Sequence, residues 1–332
     1  MKTVQIITTG EILFRISPNL QTNEAAIYVG GAEANVAAAL GNWGNDVAYV
    51  SRVPQNGLSI QALSILQDKN IVTERMLFGG DRIGTYYLAQ GADLKHAEVV
   101  YDRKYSSFST IQPGSVNWEE VLSGAQWLHW SAITPALSED AAAVCKEVLE
   151  AAKALGMTIS TDLNYRAKLW QYGKQPVEVM PSLTAYCDVI MGNIWAANNM
   201  LGTSLNQALI DQNNQEAYLQ AAREVATEIQ TKYPHCKHIA FTYRFSNGPQ
   251  HNLYYAVYWT NGELYCSKTY DTNEVVDRVG SGDSFMAGLI HALVHQYDAQ
   301  KTISFAAAAA YSKLFLKGDF NTTPLQQIEQ LM

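Results

Sequence analysis

The sequence predicts an α/β protein: a three-layer α/β/α core on a mainly parallel sheet, with a small β-sheet lid. Three observations carry that expectation. Short β-branched runs alternate with helix-period segments over most of the 332 residues, as in a parallel sheet covered by helices. Two stretches, 11–30 and about 78–112, break the alternation with period-two patterns and no helix between them. Hydrophobic residues make up 48% and charged residues 16%, enough apolar surface for a large core and too much for a disordered chain.

Val4–Thr8 reads as a first buried strand, closed by Gly10. Helix spacing then places Ala34–Trp43, a strand follows at Val47–Val53, and a helix at Ser59–Lys69. After the second irregular stretch come a strand at Trp127–Trp130, a helix at Ser138–Leu155 and strands at Thr158–Thr161 and Val189–Met191. The helix Tyr218–Lys232, the strand Ile239–Thr242 and the helices Ser284–His295 and Ile303–Phe315 complete the chain. Val99, Tyr101, Arg103 and Tyr105 fall on one face of an extended strand. Both irregular stretches leave and rejoin the core. They are therefore placed as a lid over the carboxyl ends of the main strands, where open α/β sheets bind ligands. The whole chain, 1–332, reads as one domain with that lid.

A formal net charge of -8 opposes nucleic acid as a partner. The absence of a run of about 18 apolar residues opposes a membrane span. The start, MKTVQII, lacks the pattern of a signal peptide, and Cys145, Cys187, Cys236 and Cys266 lack metal-ligand spacing. They read as reduced thiols of a cytoplasmic protein. No histidine pair has zinc-site spacing.

Chemistry concentrates in a few segments. Asp277-Arg278-Val279-Gly280-Ser281-Gly282-Asp283 is a glycine-rich turn feeding a helix. Such a turn aims free amides and a helix dipole at one point, which suits an anion. Asp283 stands where a carboxylate can take a proton from an attacking hydroxyl. The plainer alternative is a helix cap and a tight turn. No lysine follows in the manner of a P-loop. Gly30-Gly31-Ala32-Glu33-Ala34-Asn35 opens an Ala-rich helix, so backbone can approach a ligand and Asn35 can bond hydroxyls. Asp162, Asn164 and Arg166 recur every second residue after a strand and face one way on extended backbone. Arg103 and Arg166 supply two guanidinium groups, more than neutral hydroxyls require and suited to a carboxylate. The alternatives are a cross-strand acidic partner for Arg103 and an ion pair with Asp162 for Arg166.

Taken together, GGAEANVAAALGNWG and DRVGSGDSFMAGL resemble the two signatures of the ribokinase-like (PfkB) carbohydrate kinases, in the expected order and over essentially the whole chain. The resemblance implies the ribokinase-like fold, ATP with Mg²⁺ as phosphoryl donor, and a small-molecule sugar or sugar acid under the lid. It implies Asp283 as catalytic base and the backbone of Gly280, Ser281 and Gly282 as anion hole. It places the nucleotide beside Asn193, Thr242 and Arg244 as well as Gly280 and Gly282, and leaves a monovalent cation open. Gly10-Glu11, Tyr101-x-Arg103, HWSAITPALS and DLNYR extend the resemblance to the 2-keto-3-deoxygluconate-phosphorylating branch. That branch implies a sugar-acid site of Gly30, Gly31, Asn35, Tyr86 or Tyr87, Tyr101, Arg103, Asp162, Asn164, Arg166 and Asp319. A homo-oligomer through the lid is the expected assembly.

Two departures fall on the nucleotide side. Family members commonly carry Asn-x-x-Glu where this chain has Asn193-Ile194-Trp195-Ala196. A Gly-x-x-Gly turn is replaced by the segment Tyr243–Asn252, read as a loop. Two alternatives therefore stand beside the sugar-acid kinase: a neutral-sugar kinase of fructokinase or ribokinase type, and a non-catalytic sugar-acid sensor.

Overall fold

A computed structural model describes residues 4–89, 99–206, 209 and 214–332. The strands are β1 (Ile6–Thr9), β2 (Leu13–Asn19), β3 (Glu24–Gly30), β4 (Val47–Val50), β5 (Arg52–Val53), β6 (Ile71–Val72), β7 (Leu77–Phe78), β8 (Gly84–Tyr87) and β9 (Val100–Asp102). They continue as β10 (Trp127–Ser131), β11 (Thr158–Asp162), β12 (Val189–Gly192), β13 (His238–Phe245), β14 (Asn252–Thr260), β15 (Glu263–Cys266) and β16 (Tyr270–Thr272). The helices are α1 (Ala32–Asn42), α2 (Gly57–Gln67), α3 (Trp118–Leu122), α4 (Ile133–Leu137), α5 (Glu139–Ala154) and α6 (Pro176–Thr184). They end with α7 (Ile194–Leu201), α8 (Gln215–Lys232), α9 (Ser281–Val294), α10 (Ala299–Lys313) and α11 (Leu325–Leu331).

The main sheet runs β15-β14-β13-β12-β11-β10-β1-β4-β6, with β16 beside β14. From β13 to β6 every pairing is parallel. All four residues of β1 and of β12 are buried, as expected when helices cover both faces. One core face gathers α5, α7 and α8, and the other gathers α1, α9 and α10. Side-chain caps set the helix starts: Asn56, Ser138, Asn193 and Asp298 each accept a first-turn amide. On α9, Gly288 lies so close to α10 that a methyl there would sit 2.8 Å from Ala306 Cα.

A separate sheet, ordered β3-β2-β8-β9, is drawn from the two irregular stretches. Parity gives it two faces. Leu13, Arg15, Tyr86 and Tyr101 share one. The other carries the cross-strand row Ile27–Ile16–Tyr87–Val100.

Several expectations change. Val47–Val53 is not one strand: it breaks at Ser51, and β5 leaves the main sheet to pair β7. Leu77–Phe78 therefore lies outside the small sheet, while residues 90–98 of the second stretch lie outside the described residues. The segment Tyr243–Asn252 is a loop only over Ser246–His251. Tyr243–Phe245 extend β13, and after a turn β14 pairs back from Leu253, opposite Phe245. Among the described residues, no helix is long and apolar enough to cross a membrane.

Candidate active site

A cleft of about 590 Å³ opens at the carboxyl ends of β11, β12 and β13, between the small sheet and the first turn of α9. Parallel strands end here with backbone and short loops exposed, so side chains from distant segments converge.

The turn before α9 holds its shape through Gly280, which takes the left-handed conformation (φ 81°, ψ 0°). A side chain there would strike the Asp319 carbonyl oxygen, so glycine is required twice over. Ser281 N donates to Arg278 O at 3.3 Å, and the first α-helical bond runs from Ser284 N to Gly280 O at 2.8 Å. The remaining first-turn amides have no acceptor one turn back, and the helix dipole adds positive potential.

Asp283 sits in that first turn and lines the cleft. Its Oδ2 accepts a 2.6 Å hydrogen bond from Asn35 Nδ2 on α1. Burial pushes its carboxyl up to about 7, opposed by the Asn35 bond and reinforced by the nearby Asp162 charge. Asn35 Oδ1 is buried without a hydrogen-bond partner, an acceptor a ligand hydroxyl can satisfy. Gly31 (φ 130°) starts α1 against the Glu11 carbonyl, which brings its backbone to the cleft wall.

Asp162 ends β11, is buried, and is raised to about 6 by desolvation. Its Oδ1 accepts the Asn164 amide at 2.9 Å, turning the chain so that Asn164 and the exposed Arg166 also line the cleft. Tyr101 lines it from the small sheet. Asp319, also lining, accepts a 2.9 Å bond from the Tyr86 hydroxyl, and burial raises it to about 6. Asn193, Thr242 and Arg244 line the wall at the carboxyl ends of β12 and β13. Ala196 lies in the same wall, its amide donated to Asn193 Oδ1 at 2.8 Å.

Two expected contacts need correction, and a third residue is already partnered. Tyr87 faces away from the cleft and is 37% exposed, because parity with β2 turns Tyr86 inward. Gly30 does not line the cleft; it backs the Asp319 side chain, which occupies the space a Cβ would need. Arg103 reaches the wall already committed, with Nη2 2.6 Å from Glu11 Oε2 and both side chains buried. Lining residues that sequence reasoning missed include Ile133, Met191, Trp195, Asn252 and Tyr254.

The sequence profile of the pfkB family carbohydrate kinases matches residues 4–324. A 2-dehydro-3-deoxygalactonokinase of Haloferax volcanii is 26% identical over 335 aligned positions, covering 99% of this chain and 97% of that protein. A 2-dehydro-3-deoxygluconokinase of Bacillus subtilis is 24% identical, covering 90% and 84%. The crystal structure of a 2-dehydro-3-deoxygluconokinase from Thermotoga maritima superposes with a TM-score of 0.90 at 35% identity, covering 99% and 98%. With the profile spanning nearly its full length, the chain belongs to the pfkB family of carbohydrate kinases.

Proposed function

We propose that this carbohydrate kinase transfers the γ-phosphoryl group of ATP to the C6 hydroxyl of a 2-keto-3-deoxy sugar acid, with 2-keto-3-deoxygluconate the first candidate. One observation carries the reading: a raised carboxyl, Asp283, stands at a helix start in the same cleft as the exposed guanidinium of Arg166. The names of the relatives support the acceptor class.

Asp283 takes the proton of the attacking hydroxyl while the first-turn amides of α9 hold the charge that builds on the phosphoryl oxygens. Asn35 orients that carboxylate through the 2.6 Å bond and keeps Oδ1 for a substrate hydroxyl. Asn164, Tyr101 and Asp319 meet the remaining hydroxyls, and Arg166 meets the carboxylate. Arg244 and Thr242 flank the triphosphate. The small sheet acts as a lid that excludes water, a competing nucleophile.

MgATP supplies the phosphoryl group and the charge neutralisation that goes with it. Among the described residues no group of three or more His, Cys, Asp or Glu side chains is placed to hold a metal ion, and Ala196 stands where the family commonly carries a carboxylate. Mg²⁺ would therefore be held mainly by phosphates and water. Ala196→Glu should lower the free Mg²⁺ needed for half-maximal rate; an unchanged Mg²⁺ titration would remove this position from metal binding.

The lid also offers an assembly surface. Ile27 and Val100 in its outer row are 65% and 50% exposed, and a second copy placed face to face would cover them. We expect Ile27→Asp to lower the molar mass measured by light scattering to that of the single chain. A native protein that already runs as a monomer would rule the assembly out.

The function is tested by steady-state ATP consumption with purified protein and a panel of sugar acids and neutral sugars. Turnover with 2-keto-3-deoxy acids is expected. Preference for fructose or ribose would select the neutral-sugar reading, and ligand binding without ATP consumption the sensor.

A further inference from the structure

Arg15 lies on β2 in the small sheet, is 3% exposed and does not line the cleft. It nevertheless reaches both cleft turns. Its Nη1 and Nη2 contact Asp277 Oδ1 and Oδ2 at 3.2 and 2.7 Å, a two-pronged pair. Its Nε lies 2.9 Å from Asp319 Oδ1, an ion contact bent away from hydrogen-bond geometry, and its guanidinium covers the Tyr28 ring at 4.3 Å.

What Asp277 does with its other acceptor positions gives this pairing its meaning. Oδ1 also accepts the amide of Val279 at 3.0 Å, one residue before Gly280. Oδ2 also accepts the amide of Gly318 at 3.1 Å, one residue before Asp319. One carboxylate thus fixes the turn that opens α9 and the turn that carries Asp319, which already touch through Gly280 and the Asp319 carbonyl. Lys313, fully buried with Nζ donated to Leu316 O at 2.9 Å, packs against the same place, its Cε 3.5 Å from where a Gly280 Cβ would lie. Two cations and two carboxylates balance.

We propose that Arg15 is a positioning residue for phosphoryl transfer, clamping Asp277 so that Val279–Asp283 and Asp319 keep their places. The proposal rests on the kinase reading for its kinetic consequence and on geometry alone for the clamp. Stability is a weak reason for this residue, since a packed apolar side chain commonly matches a buried ion pair. Without Arg15, Asp277 keeps only its two amides and has a path to solvent, being 16% exposed. Rotation outward would free both turns together.

The experiment pairs Arg15→Lys, Arg15→Met, Asp277→Asn and the Arg15→Met/Asp277→Asn double variant with the native chain. Arg15→Lys keeps a charge without the fork and should lower kcat by about 10-fold, with KM for ATP within about threefold, as expected for a sub-ångström misplacement. The double variant should lose no more kcat than the worse single one, because both remove one pairing. Hydrogen exchange at the Val279 and Gly318 amides should rise together in every variant, and this readout needs no turnover. Exchange rising at both amides in the variants, with a native chain that shows no kinase activity, would uphold the clamp and reject the kinase reading. Unchanged exchange, kcat for Arg15→Lys within twofold of native, or losses that multiply in the double variant would overturn the clamp and leave the kinase reading untouched.

Discussion

Asp283→Asn should reduce turnover by about 10²–10⁴-fold, the range for a lost general base. Sugar affinity should change little, because the amide keeps the shape and one acceptor for Asn35. The raised carboxyl adds a second signature. A base held at about 7 is protonated below that pH, so native kcat/KM should climb as pH rises and level off above it. In Asp283→Asn the residual rate should lose that limb. Near-normal turnover in the Asn variant would reduce Asp283 to a residue of the helix start, and a native profile already flat from pH 5 to 8 would contradict its raised position.

Arg166→Ala should lower kcat/KM for a sugar acid by roughly 10–150-fold, from about 1.5–3 kcal/mol for a charge-assisted hydrogen bond. A carboxylate carried under a closing lid loses water and needs replacement donors. Arg103 is engaged with buried Glu11, which leaves Arg166, beyond the end of β11, and Arg244, on β13, as exposed guanidinium groups in the wall, and Arg166 is the one beside Asp162 and Asn164. For the same reason Arg103→Ala is a poor test, since it would strand a buried carboxylate. Arg166→Lys should restore part of the loss, because an ammonium lacks the planar fork. The neutral analogue, with a hydroxymethyl group for the carboxylate, should be poor with the native chain and nearly indifferent to Arg166→Ala. Equal losses for acid and analogue would remove the sugar-acid assignment while leaving phosphoryl transfer in place.

The sequence made the parallel core and the Gly280–Asp283 turn legible because both are local. A buried strand announces itself in four or five residues, and a glycine pair before a helix needs no distant partner to be read. Other features depend on register. Tyr86 and Tyr87 are adjacent, and only the pairing of Arg15 with Tyr86 decides which ring turns inward. The ion pair of Arg103 with Glu11 spans 92 positions, which no spacing rule connects. The hairpin of β13 and β14 has no clear sequence signature, because its turn, Ser246–His251, is dense in Ser, Asn, Gly and Pro and has the composition of a longer loop. The branch-level site residues came from resemblance, and geometry brings all but Tyr87 and Gly30 to one cleft.

Gly288 sets a mechanical tolerance for the whole catalytic end. It lies two turns along α9 from the turn at Gly280, and faces Ala306 two turns before Lys313 on α10. With 2.8 Å available for a methyl, any larger residue must wedge the helices apart, and a rigid helix transmits that wedge along its length. The lever arm from Ala306 to Lys313 is about 10 Å at 1.5 Å per residue, and its far end bears on Gly280 and Asp319. A position remote from both substrates thus controls the spacing between the two turns.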